Sequence, residues 1–96
     1  MQNTDLTPAE MTIALRAQKL EITEHAIYAK LAKISRDKDN AEVLRKIADD
    51  ELHHYKFWEE MTGRIMKPNR FVVFRFVLTA RFLGLTFGIK LLERGE

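Results

Sequence analysis

The sequence predicts an all-α chain, a long helical hairpin followed by a third helix. Three observations predict it. Residues 7–34 and 40–62 repeat apolar side chains three, four and seven positions apart, the spacing of one helix face. Helix start and stop signals bracket both stretches. The two prolines, Pro8 and Pro68, fall where segments begin.

The first helix is predicted over 7–34. Thr7 can cap it, Pro8 sits where a missing N–H costs nothing, and Glu10 can complete a capping box. The polar run Ser35-Arg36-Asp37-Lys38-Asp39-Asn40 is read as a short loop. The second helix is predicted over 40–62, with Asp39 or Asn40 as its cap, Glu42 in its first turn and Gly63 as its stop. Pro68-Asn69 opens a third segment, read as a helix over 69–93. Its start is rich in Val and Phe, which favours strand. Its apolar length exceeds a strand, and Leu78, Leu83, Leu85 and Leu91 favour helix. Arg75, Arg81 and Lys90 interrupt it, which argues against a membrane span. Gly84 and Gly88, four apart, would permit a close helix contact.

With 96 residues the chain makes one domain, residues 1–96, whose core is small enough to profit from a partner chain. Cysteine is absent, which excludes disulfides, thiol chemistry and a rubredoxin-like iron centre in this chain. Residues 1–12 lack a signal peptide's apolar run, so the expected location is the cytoplasm. Charge is uneven. Residues 1–63 hold 9 Lys and Arg against 12 Asp and Glu, whereas residues 64–96 hold 7 against 2. An acidic first part and a basic last part imply different neighbours.

The chemistry lies in the stripes. Glu51 shares its helix face with Leu44, Ile47, Ala48, His54, Tyr55, Trp58 and Met61. Glu21 shares its own with Ala14, Ala17, Tyr28, Leu31 and Ala32. Each stripe thus carries an acid amid small and apolar residues, and neither offers an inward Lys or Arg. Burying an unpaired carboxylate costs several kcal/mol or more. A bound metal ion would supply the missing charge, with Glu21, Glu51 and His54 as ligands. A lone Glu-x-x-His is a weak signal, and the second inward acid strengthens it. Glu24 lies about 60° from Glu21 around the helix. His25 and His53 are expected to be exposed or to sit behind the ligands, and Tyr28, Tyr55 and Trp58 to be core filler.

A di-iron carboxylate bundle takes one Glu from each of two helices and a Glu-x-x-His from each of two others. This chain carries half of that set. Two chains about a twofold axis would provide four carboxylates and two imidazoles, and each hairpin would complete the other's apolar face.

"LEITEHAIYAKLAKI" followed by "ADDELHHYKFWEEM" resembles the first half of a rubrerythrin-type ferritin-like di-iron domain. That family's first metal-binding glutamate is followed seven residues later by an aromatic, matched by Glu21 and Tyr28. Its Glu-x-x-His is matched by Glu51 and His54. "RFVLTARFLGLTFGIKLLERGE" resembles the stretch after the hairpin in such domains fused to vacuolar-iron-transporter-type membrane proteins. Encapsulated ferritins offer a parallel, as two-helix half-bundles completed by dimerization. The family's second Glu and second Glu-x-x-His have no match in this chain, and no transporter segment follows. The expected object is therefore a fragment of such a protein or a stand-alone half-domain. Glu93 and Glu96 are not counted as ligands.

The resemblance implies a ferritin-like hairpin that completes a four-helix bundle by homodimerization. It implies a di-iron cofactor, with manganese or zinc as substitutes, and ferroxidase or rubrerythrin-like peroxidase activity. Glu51 would bridge the metals, Glu21 would be a terminal ligand, and Tyr28 and Glu24 would support the ligands from behind. The implied partners are a second copy of the chain and a membrane iron transporter or storage compartment. A non-catalytic metal-dependent oligomerization module and a metal-free helical adaptor are the other readings. The Phe-rich basic segment 70–92 is expected to cover the bundle, swap between chains, build a larger assembly or lie on an anionic membrane. No recognition motif points to nucleic acid.

Overall fold

The computed structural model of the protein describes residues 5–84, 93 and 94. Three helices follow one another: α1 (Pro8–Ile34), α2 (Lys38–Thr62) and α3 (Arg70–Leu83). No strand is present among the described residues.

α1 begins at the capping box. The Thr7 hydroxyl accepts from the Glu10 N–H at 3.1 Å, and the Glu10 carboxylate accepts from the Thr7 N–H at 2.9 Å. Two orphan amides of the first turn are thereby satisfied. α2 starts two residues before its expected position. Asp37 is its cap, accepting from the backbone N–H of Asp39 and of Asn40. The loop to α1 is correspondingly short. Gly63 ends α2 in the left-handed region at φ 71°, a conformation that costs glycine no Cβ clash.

Asn69 caps α3 by accepting from the Val72 N–H. The helix stops at Leu83, where Gly84 adopts φ 93°. The helix expected to 93 therefore breaks at this glycine, and residues 85–92, with Gly88, lie outside the described residues. A Cβ at Gly84 would meet nothing within 4 Å. Gly84 serves as a helix terminus, and among the described residues no helix approaches it closely.

α1 is the central element. It lies antiparallel to α2 along its length and packs on α3 with its C-terminal half. The backbone N–H of Asn69 donates to the Thr23 hydroxyl at 2.9 Å, which sets the start of α3 beside the middle of α1. Its end, at Ala80 and Arg81, shares a shallow cleft with Ile34 and Asn40 near the α1–α2 loop. The core gathers Ile27, Tyr28, Leu31 and Ala32 of α1, Leu44 and Ala48 of α2, and Val73 and Ala80 of α3.

Polar side chains pin the linker between α2 and α3. Gln18, fully buried, donates from Nε2 to the Arg64 carbonyl at 2.6 Å and accepts from the Thr62 hydroxyl at 2.6 Å. The Tyr55 hydroxyl accepts from the Met66 N–H at 2.9 Å. Lys19 Nζ donates to the Lys67 carbonyl at 2.6 Å. Backbone groups that no helix satisfies thus find partners on the hairpin.

Candidate metal centre

Glu21 comes from the middle of α1, and Glu51 and His54 come from α2. The antiparallel hairpin brings them together, with their ligand atoms all within 4.8 Å of one another. His54 Nδ1 lies 3.1 Å from Glu51 Oε1 and 3.4 Å from Glu21 Oε1. The two carboxyl side chains are mostly covered, 20% exposed for Glu21 and 12% for Glu51. Among the described residues, His54 is their only ion-pair partner.

The imidazole departs from expectation. His54 shares the helical face of Glu51, yet its side chain is 58% exposed. α3 packs on α1 and leaves this side of α2 open, so the ring sits at the rim of the cluster. Glu21, His53, His54, Phe57 and Trp58 line a shallow depression there.

Behind the ligands, Glu24 lies beside Glu51 and helps to hold it below its ordinary value. Tyr28 is buried in the core. His53 is exposed. His25 is half-buried and lies 2.7 Å from the Ala48 carbonyl through Nδ1. A carbonyl only accepts, so this contact requires the proton on Nδ1. The bond ties α1 to α2 three residues before Glu51 and so fixes the helix spacing at the level of the cluster.

Electrostatics follow from two acids crowded in partial cover. Burial raises Glu21 from 4.5 to about 7, reinforced by its hydrogen bond with Glu51 and the charge of Glu51, and opposed by His54. Burial also acts to raise Glu51, but hydrogen bonds with Glu21, Glu24 and His54 outweigh it and hold Glu51 below its ordinary value. Desolvation acts to lower His54, and its hydrogen bond with Glu51 and the charge of Glu21 prevail and raise it above 6.5.

These shifts set the pH dependence of the metal-free protein. Between about 4.5 and about 7, folded Glu21 keeps a proton that the unfolded chain has released, so stability falls as pH rises through that window. The raised His54 acts in the same direction. Its contribution is complete below 6.5 and is lost as pH climbs through the folded value. The depressed Glu51 contributes stability above 4.5 that is lost only in more acidic solution. With chelator present, the thermal midpoint should therefore drop as pH is raised across this range. Glu21→Gln should flatten most of the drop, and an equally steep profile in that variant would refute the assignment.

Divalent metal should reverse the trend, because binding displaces the Glu21 proton and strengthens with pH. Two carboxylates and one imidazole form an oxygen-rich donor set that suits iron(II) or manganese(II) and admits zinc. The residues thus fit the metal that the sequence implies. Comparison with known proteins returns no matching family model, no matching curated protein and no matching solved structure.

Proposed function

We propose that two copies of this chain pair through the open side of the α1–α2 hairpin and hold two iron(II) ions between them. The protein then oxidises iron(II) for storage or delivery. The observation that supports this most directly is the convergence of Glu21, Glu51 and His54 from two helices, with no lysine or arginine among the described residues paired to the acids. Pairing about a twofold axis would double this half-set to the four carboxylates and two imidazoles of a di-iron bundle. Exposed apolar side chains support the pairing. Ile13 and Leu20 stand on the side of α1 that carries Glu24, and Val43 and Phe57 on the side of α2 that carries His54. A second copy would cover them.

In this reading iron(II) is the substrate. Each of two ions gives up one electron. The pair reduces O₂ with two protons to hydrogen peroxide, or reduces peroxide with two protons to two waters. Glu51 bridges, Glu21 binds one ion after shedding its proton, and His54 Nδ1 supplies the nitrogen. His25 keeps the two helices in register, and Phe57 and Trp58 exclude water once the face is covered. A membrane iron transporter or a storage compartment as the recipient rests on the resemblance of the sequence.

Anaerobic loading with iron(II) followed by air is the test. The expected result is two irons per dimer in solution and a ferric near-ultraviolet absorbance that grows faster than in protein-free buffer. A metal-free monomer whose melting temperature ignores iron(II), manganese(II) and zinc(II) would overturn the proposal. The exposed apolar surround also favours a second reading, a metal-dependent dimerization module without turnover. Saturable binding with no faster oxidation would select it.

A further inference from the structure

α3 carries apolar side chains on two opposite faces. Val73 and Ala80, seven apart, are buried against α1. Phe71, Phe74, Leu78 and Phe82 form a stripe on the reverse, since Phe71 and Val73 are separated by about 200° around the helix. The three phenylalanines are 70%, 63% and 79% exposed. A helix apolar on both faces has two partners, and α1 accounts for only one.

The flanks identify the other. Arg70 and Arg81 border the stripe on one side and Arg75 on the other, all exposed, and α3 contains no Asp or Glu. The Arg75 guanidinium lies 5.9 Å from the ring centres of both Phe71 and Phe76, a cation–π distance that holds the charge beside the aromatic stripe.

We propose that this face of α3 docks on an anionic lipid bilayer. The helix axis lies in the membrane plane, the phenylalanines enter the boundary of the acyl chains, and the arginines bind headgroup phosphates. A flat, uniformly negative surface can take arginines on both sides of a stripe, and the guanidinium fork matches phosphate oxygens. Phe and Leu flanked by cations is also the composition of helices that rest in the interface. The contact is peripheral, because no described helix is long and apolar enough to cross a membrane. The stripe shares no residue with the Glu21–Glu51–His54 cluster, so this inference goes beyond the metal reading and stands or falls separately.

Co-sedimentation of the full chain, without added metal, with sucrose-loaded vesicles tests it. The protein should pellet with phosphatidylcholine vesicles that contain phosphatidylserine, stay in the supernatant with phosphatidylcholine alone, and be released by salt. Each arginine neutralised should lower partitioning about fivefold, so Arg75→Glu with Arg81→Glu should lower it more than tenfold. Phe74→Ser with Phe82→Ser should abolish it. All four positions are exposed, so helix content by circular dichroism should be unchanged. Arg45→Glu, an exposed charge reversal on α2, should retain binding. Failure to pellet with phosphatidylserine vesicles would overturn the proposal, as would an Arg45→Glu defect equal to that of the α3 variants. So would a vesicle-inert dimer that Phe74→Ser with Phe82→Ser converts to monomer, because the stripe would then be covered by a second copy.

Discussion

Glu51→Ala should leave the helices intact and strip both metals from the proposed two-metal dimer. A ligand shared by two ions serves both, so its loss should reduce bound metal from two per dimer to none. The loss in affinity should exceed the roughly 10–100-fold that removal of an outer-shell partner costs. Glu21→Ala, which removes a terminal ligand, should weaken binding less. His53→Ala, exposed at the edge of the depression, should bind as the parent does. Without metal, Glu51→Ala should lose the stability that the ionised Glu51 contributes above 4.5. The deleted carboxylate is largely covered, and it raises Glu21 by hydrogen bond and by charge. Titration of Glu21 should consequently move back toward 4.5, with burial alone still opposing its ionisation. Metal analysis beside the solution mass reads the first effect, and thermal melting in chelator reads the second. A variant that keeps two metals per dimer would show that Glu51 does not bridge.

The hairpin and the acids in its seam were legible because both follow from helical periodicity. Thr7, Glu10 and Gly63 act within one turn of themselves, where sequence spacing and spatial distance agree. Glu21 and Glu51 stand out because an acid in an apolar stripe contradicts its surroundings. Direction around a helix is not exposure, however. His54 points along the face of Glu51, yet how much water reaches it depends on where α3 packs, and α3 covers α1 instead. Gln18 carries no such signal, because a polar residue on a buried stripe reads as an interruption. Its partners Thr62 and Arg64 lie 44 and 46 residues away, and no local pattern links them. His25 stands about 40° around the helix from Glu21, in keeping with a place behind the ligands. Its partner is the carbonyl of Ala48, and backbone acceptors leave no mark in a sequence. At the start of α2 the expected cap is Asp39 or Asn40, and the observed cap is Asp37, which spacing alone leaves in the loop. Asp37 prevails because its carboxylate reaches two amides at once.

Leu31→Ala should cost about 3 kcal/mol, within the range of about 2–5 for truncating a fully buried leucine. Leu31 is 0% exposed and belongs to the core cluster that joins α1, α2 and α3. Truncation leaves a gap lined by side chains from three elements, and straight helices held by a capped hairpin have little freedom to close it. For a chain of this size the loss corresponds to a fall of about 15 °C in melting temperature. It is a large part of the roughly 5–15 kcal/mol that keeps an ordinary domain folded. Ten residues of helix place Leu31 about 15 Å from Glu21. At that separation independent sites add to within about 0.5 kcal/mol. Leu31→Ala should therefore lose the same stability in the parent and in Glu51→Ala, measured at one protomer concentration because the proposed dimerization would couple to folding. Its metal affinity should match the parent's at temperatures where it remains folded, since His25 and Ala48 hold the helix spacing beside the cluster without help from Leu31. Added metal should then raise both melting curves by mass action. A folded Leu31→Ala that no longer binds metal would mean that the carboxylates are positioned by the three-helix core as a whole, and not by the hairpin that carries them.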